Sequence, residues 1–587
     1  MKTFFKTFFA VLIANVILLG LLIIMIGAFG ASMMAGKKAE IKNGSYLVID
    51  IYGEVYAYDP PETFPLSILE AEPETLHRIL GNLEKAAADD RIEGVILKVS
   101  SHNNLGMAKI EEIRNAIAKV REKDKMVYAY SDDLSRSSLY LASACDSIFM
   151  PPQGNVMYTG YASVVPFAKG TLEKLGVKSE IHQIREYKSA AEMVTRKDMS
   201  PEAREMRMWI LQDIWEQEMA AVTAERHLTE EQLVANMEHV MFMPHEAKEA
   251  KLIDGVLYWD QLKDRLKGDD DELKMVSQAD YAKVTRASVG LKGKKKIAVV
   301  YAQGMIGGRK SQIDPMFGVV MGHESVASDL KEAAEDENVA AIVFRVDSGG
   351  GEGLASDLIG HAAELASKEK PVIVSMIDVA ASGGYMISYR ATKMVANPTT
   401  ITGSIGSISG KFNTTGFYSK LGITYDTLSV GPNGLMWSDV TDFTPKQRQI
   451  FEENHWRGFN QWLDDVASRR GLTREEAEKL AMGRVWTGRQ AKGNGLIDEL
   501  GGLERAIELA KEAAGIDTAE GVTLVYYPKK KGIVESILGG ESPISAMVRW
   551  VVYRFFHEDL AETYRLMTTA RVNAWPMETT DAVKPAR

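Results

Sequence analysis

The densest chemical signal is the run Asp378-Val-Ala-Ala-Ser382-Gly383-Gly384-Tyr385, which follows the apolar stretch Pro371-Val-Ile-Val-Ser-Met-Ile377 and precedes a helix-compatible segment. A serine at a strand-to-helix turn stands exposed at the carboxyl end of a sheet, with a helix N-terminus behind it, and suits a nucleophile. The glycines permit close substrate approach, and the Gly383 amide can face a developing oxyanion. Ser-Gly-Gly is also an ordinary turn, so a second feature is needed. Asp347-Ser348-Gly349-Gly350-Gly351 supplies it: this run also follows a strand pattern, and in a parallel sheet it opens on the same edge. The amide of Gly350 or Gly351, together with that of Gly383, would form an oxyanion hole, a term of about 2.7 to 4 kcal/mol per donor. Three glycines also suit a phosphate-cradling loop, but no Gly-Lys-Ser/Thr ending and no dinucleotide spacing accompanies them.

A serine hydroxyl needs a base, and the usual one is a histidine backed by a carboxylate. The 10 histidines offer no such motif. His361 lies in a helical pattern, His455 in a polar aromatic stretch and His182 on a strand-like run, each read as a surface or packing residue. A lysine can serve instead when burial lowers its pKa toward neutrality. The residues themselves leave open which lysine it is.

The elements that carry these groups occur twice, at an offset of about 246 residues. The strand pattern Arg91–Ser100, the helical stretch Met107–Glu122 and the strand Met126–Tyr130 answer Asn338–Asp347, Ala355–Lys368 and Pro371–Ile377. Leu175-Gly-Val177 answers Leu421-Gly-Ile423, Asp198-Met-Ser-Pro201 answers Asp442-Phe-Thr-Pro445, and Leu252-Ile-Asp254 answers Leu496-Ile-Asp498. Short Val- and Ile-rich runs alternating with helices predict two α/β domains with parallel strands and right-handed crossovers. The charged stretch Gly268–Lys296 joins them. The expected organisation is an anchor over 1–38, a first α/β domain over 39–290, a second over 291–525 and a tail over 526–587.

The anchor is expected because Phe8–Gly36 runs apolar between Lys2 and Lys6 on one side and Lys37 and Lys38 on the other. That is long enough to span about 30 Å of hydrocarbon, whereas a cleavable signal has an apolar region of about 7 to 15 residues. Two lysines on each side nearly balance the positive-inside rule; with the helix at the extreme N-terminus, tail inside and body outside is the simpler orientation. A formal charge of -11, from 69 Lys plus Arg against 80 Asp plus Glu, argues against a nucleic-acid partner. The single cysteine, Cys145, allows no intrachain disulfide and no cysteine-rich zinc site. In the tail, Met547–Phe556 is apolar and aromatic, suited to packing on its own domain or to docking on a partner or membrane surface.

Tyr187-Lys188-Ser189-Ala190, Asp198-Met-Ser-Pro201, Ser348-Gly-Gly-Gly351, Ala381-Ser382-Gly-Gly-Tyr385 and Thr402-Gly-Ser404-Ile-Gly406 together resemble the signal peptide peptidase A (protease IV) family in its long, two-domain form. The resemblance covers nearly the whole chain and is weakest after about Gly521. It implies that Ser382 is the nucleophile, that Lys188 from the first domain is the general base, and that the Ser404 hydroxyl orients the lysine amine. It further implies two tandem domains similar to the Clp protease/crotonase superfamily, assembly as a bowl-shaped homotetramer, and neither cofactor nor metal. The chain departs from the family at Gly349, where Ser-Pro-Gly is more frequent, which leaves the choice between Gly350 and Gly351 open. By the repeat, Ser382 aligns with Arg136 and Lys188 aligns near Gly434, so each half keeps one member of the pair.

The resulting expectation is a Ser-Lys endopeptidase, held by a single pass in a cytoplasmic (inner) membrane. It would degrade cleaved signal peptides or other short apolar peptides on the periplasmic, extracytoplasmic side. Two other classes compete. A crotonase-like acyl-thioester enzyme would use the same paired amides for enolate chemistry but leaves the Ser-Lys pairing unexplained. A catalytically inactive membrane scaffold would not react with a serine-directed inhibitor.

Overall fold

Apolar runs rich in valine and isoleucine form the centres of two sheets, as strands covered on both faces require. The computed structural model describes residues 41–61 and 74–529. The first half begins with β1 (Ser45–Gly53), α1 (Leu76–Ala88), β2 (Ile92–Asn103), α2 (Met107–Arg121), β3 (Met126–Tyr130), α3 (Arg136–Ala142) and β4 (Ser147–Met150). It continues with β5 (Lys178–Gln183), α4 (Pro201–Arg226), β6 (Gly255–Val256) and β7 (Met275–Ser277). Six of these strands form a parallel sheet in the order β7-β1-β2-β3-β4-β6.

The second half repeats the plan with β8 (Lys296–Gln303), α5 (His323–Glu335), β9 (Val339–Ser348), α6 (Gly353–Glu369), β10 (Val372–Ala381) and α7 (Gly383–Met386). Then come β11 (Lys393–Ala396), β12 (Ile401–Gly403), β13 (Ile408–Asn413), α8 (Pro445–Arg470), β14 (Val485–Thr487), β15 (Glu499–Leu500), α9 (Leu503–Ala513) and β16 (Thr523–Tyr527). The main path of this sheet runs β14-β12-β10-β9-β8-β16, with β11 pairing β10 and β15. Only β14 is antiparallel to its neighbour.

The repeated Asp-Met-Ser-Pro and Asp-Phe-Thr-Pro motifs are helix starts. Ser200 accepts a hydrogen bond from Ala203 N and Thr444 from Gln447 N, and each is followed by a proline at the first helical position. Both helices, α4 and α8, run for 26 residues.

One expectation is extended. The sequence ends the strand at Ile377, whereas β10 continues to Ala381. Its pairing with β9 shifts register between Val346↔Met376 and Ser348↔Ala380, so the strand bulges at Ile377 to Val379 and delivers Ser382 directly at its end.

The halves are interlocked rather than strung on a linker. β5 of the first half pairs antiparallel with β13 of the second, from Lys178↔Asn413 to Gln183↔Ile408. The largest buried cluster draws on both, including Leu97 and Ile113 from one and Val299, Val343 and Leu509 from the other. Among the described residues no helix is long and apolar enough to cross a membrane. The expected anchor at Phe8–Gly36 and the apolar stretch Met547–Phe556 lie outside the described residues.

Candidate active site

Ser382 follows β10 without an intervening loop and caps the single turn α7. Its backbone sits at φ 56°, a region rarely used by residues other than glycine. It is held there because Ser382 N donates to Gly403 O at 2.8 Å and Ser382 O accepts from Met386 N at 2.9 Å. Because α7 is only four residues long, individual amides rather than a long helix dipole provide positive potential at the serine.

Lys188 arrives from the first half. Beyond the β5–β13 pairing, Ile184 N donates to Ser407 O at 2.9 Å and Tyr187 N to Met482 O at 3.1 Å, which seats the segment on the second half. Gly483, at φ 76°, completes the seat: a Cβ there would lie 2.4 Å from Lys188 N, so a side chain would displace the lysine backbone. The Lys188 side chain then reaches across the join. Its Nζ lies 2.8 Å from Ser382 Oγ, 2.9 Å from Ser404 O and 2.9 Å from Ser404 Oγ. The residue is buried, and burial alone lowers its pKa to about 7.

The three contacts suit both protonation states. An ammonium can donate to all three oxygens. A neutral amine can donate to Ser404 O and Ser404 Oγ and accept the Ser382 hydroxyl proton on its lone pair. Ser404 itself follows β12, with Ser404 N donating to Arg484 O at 2.7 Å.

The glycine loop lies against the same turn. Gly350 N donates to Ser348 Oγ at 3.2 Å, and Ser348 Oγ donates to Gly304 O at 2.7 Å. The loop is fixed from outside by Ile306 N donating to Gly350 O and Glu352 N donating to Ile306 O. Gly351 N and Gly383 N have no hydrogen-bond acceptor among the described residues. The Gly350 amide is thus already engaged, whereas those of Gly351 and Gly383 are free. At φ 100°, a Cβ on Gly350 would stand 2.6 Å from Gly383 N and 2.9 Å from Ser382 Cβ.

The structure thus brings together Ser382, Lys188, Ser404, Gly350, Gly351 and Gly383. Among the described residues the histidines stay apart from this cluster. His182 and His455 pair with each other at 2.8 Å, His455 also meets Ser407 Oγ at 2.7 Å, and exposed His361 faces Glu364 on α6. In the first half, the place of Ser382 is filled by Arg136, which pairs with Glu218 and stacks on the Tyr161 ring. Reading the sequence passed over one group, Lys109 with Asp347 and Asp378. The two aspartates stood in the quoted motifs, each at the end of a strand; nothing local marks Lys109.

The model of peptidase family S49 matches the chain twice, over residues 119–273 and 364–517. The chain is 33% identical over 473 residues to "Serine protease SPPA, chloroplastic" of Arabidopsis thaliana, covering 79% of this chain and 70% of that protein. It is 31% identical over 533 residues to "Protease 4" of Salmonella typhi, covering 86% and 83% respectively. To "Putative signal peptide peptidase SppA" of Enterococcus faecium it is 30% identical over 220 residues, covering 37% of this chain and 63% of that one.

Proposed function

We propose that this chain, which belongs to peptidase family S49 and is a serine peptidase, cuts peptides with Ser382 as nucleophile and Lys188 as general base. The observation that carries this reading is the 2.8 Å contact between Lys188 Nζ and Ser382 Oγ, made by a lysine buried without a carboxylate partner. The neutral amine takes the hydroxyl proton as Oγ attacks the scissile carbonyl. Gly351 N and Gly383 N donate to the oxyanion that forms. Lys188, now an ammonium, returns the proton to the leaving amine, and in the second step it activates the water that releases the acyl group. Ser404 holds Nζ on the line between these positions. Ser382→Ala and Lys188→Ala should each abolish hydrolysis of a fluorogenic apolar peptide while the circular dichroism stays unchanged; turnover retained by either folded variant rejects the dyad.

In the same reading each half is a Clp protease/crotonase-like unit, and Phe8–Gly36 anchors the chain in the cytoplasmic membrane with its body outside. The substrates are released signal peptides or other short apolar segments. Support for the anchor is the length of the apolar run; support for peptide substrates is the peptidase family and the relative named as a putative signal peptide peptidase. Protease accessibility of the body in intact spheroplasts tests the orientation. Cleavage only after membrane rupture rejects it.

The homotetramer of this reading has support in the repeat. On α4, Glu205, Asp213 and Glu216 pair with Arg484 and Arg489 of the second half. The matching face of α8, including Gln449, Glu453, Arg457 and Asn460, lines an open groove of about 780 Å³. The first-half counterpart of β14, the strand Met241–Phe242, leaves Met241 and Met243 exposed. A second copy using the docking already seen within one chain would cover both surfaces and generate a ring. Light scattering of the detergent-solubilised chain should give four copies, and Met243→Asp should lower that number.

A further inference from the structure

We infer that Lys109 of α2 is a positioning residue for the oxyanion hole: it clasps Asp347 on β9 and Asp378 on β10, the strands that carry the two donor loops. The inference rests on the reading of Ser382 as nucleophile. Asp347 lies four residues before Gly351, and Asp378 lies four before Ser382. Lys109 Nζ is 3.2 Å from Asp347 Oδ2 and 3.3 Å from Asp378 Oδ2, and it also donates to Val55 O at 3.3 Å. The backbone takes part as well: Lys109 N donates to Asp378 Oδ1 at 3.1 Å, and Val379 N donates to Asp347 Oδ1 at 3.2 Å.

These contacts fall at the bulge where β9 and β10 change register. The regular ladder between the two strands is interrupted there and resumes at Ser348↔Ala380, so the side chains that bridge the gap help to set the offset beyond it. That offset sets the separation of Gly351 N from Gly383 N. The clasp is also sterically closed. Gly106, which precedes α2, has no room for a Cβ, since one would fall 2.2 Å from Asp378 Cγ.

The charges require the lysine. Burial and the Asp347 carboxylate push Asp378 up to about 6, against the pull of Lys109. Burial works against the charge on Lys109, yet Asp347 and Asp378 hold its pKa above the ordinary lysine value. Without the cation, two largely buried carboxylates would face each other across the bulge, one of them would take up a proton, and the three-way clasp would be lost. The first half would then supply both the base and the brace for a nucleophile that the second half carries.

The test uses the full chain with a fluorogenic peptide, and fluorophosphonate labelling of the serine. Lys109→Met should lose about 10- to 100-fold in kcat, with KM within about threefold, because the donors are displaced while the peptide site remains. Labelling should slow in parallel. Lys109→Arg, which keeps a cation between the carboxylates, should recover most of the rate. A folded Lys109→Met with unchanged kcat, a loss confined to KM, or an arginine variant as slow as the methionine variant overturns the inference. If Lys109→Met does not fold, Lys109→Met with Asp378→Asn leaves a single carboxylate and so removes the like-charge contact, and full activity in that double variant, which lacks the clasp, overturns it equally. Ser382→Ala run alongside separates the two readings. Turnover in that variant defeats the site itself, whereas its loss beside a fully active Lys109→Met defeats only the clasp.

Discussion

Arg345 on β9 and Glu112 on α2 form a two-pronged buried ion pair across the join of the two halves, with N–O distances of 2.9 and 3.0 Å. The pair is completed by Ser375 Oγ, which accepts from Arg345 Nη1, and by Asn397 Nδ2, which donates to Glu112 Oε1, each at 2.9 Å. It lies on the same helix as Lys109 and on the same strand as Asp347. The halves therefore meet through a fixed arrangement of charges on the helix and strand that also carry Lys109 and Asp347.

Removing one partner of this pair leaves the other charge buried and alone. Glu112→Gln or Arg345→Met should destabilise the chain by about 3 to 5 kcal/mol. The double variant should lose less than the sum of the single ones, because no orphan charge remains. Urea unfolding of the four proteins gives this coupling directly, and additive losses would contradict it.

Activity should rise with pH. In the proposed mechanism Lys188 acts only as the neutral amine, and burial lowers its pKa to about 7. The rate should therefore climb through an apparent pKa near that value and stay high on the alkaline side. A kcat/KM profile from mildly acid to alkaline pH checks this; a flat profile speaks against a lysine base.

Stability should rise with pH over part of the same range. The folded pKa of Lys188, about 7, is below its ordinary value of 10.5, so between the two the unfolded chain holds a proton that the folded chain does not. The destabilisation is complete below about 7 and fades as pH rises toward 10.5, with a slope from this group of about 1.4 kcal/mol per pH unit. Lys188→Met should lack this slope and be the more stable protein at neutral pH. Denaturant midpoints for both, taken every half pH unit, make the comparison.

Gly350→Ala should fold but react poorly. Its Cβ would stand 2.6 Å from Gly383 N, one of the two donors of the proposed oxyanion hole, and the φ of 100° adds strain. A loss of about 10² to 10³ in kcat is expected, as for removal of one oxyanion donor. Because the clash falls on the turn that carries Ser382, the loss should lie mainly in kcat; a change mainly in KM would place the reacting centre elsewhere.

Much of this protein was legible because its signals are local. Apolar runs such as Val339–Ser348 and Val372–Ala381 end in small residues, which marks both the strands and the turns that follow them. The duplication was visible as repeated motifs, and the Ser-Pro and Thr-Pro pairs that mark it are the starts of α4 and α8. Lys188 was legible only through a resemblance carried by its neighbours, and Lys109 not at all. A lysine reveals nothing about its partner when the partner lies in the other half of the chain.

By itself the sequence determined two parallel α/β halves, a serine and glycine loops at one sheet edge, and an apolar segment long enough to anchor the chain. Those follow from residue type and spacing. Tertiary structure alone decided that Lys188 Nζ meets Ser382 Oγ across 194 positions, that Gly351 rather than Gly350 keeps a free amide, and that β10 bulges beside Asp378. The physical reason is that each depends on how β5 docks on β13 and how α2 packs behind β9 and β10. Those contacts are set by burial and charge pairing between distant segments, which no local pattern records.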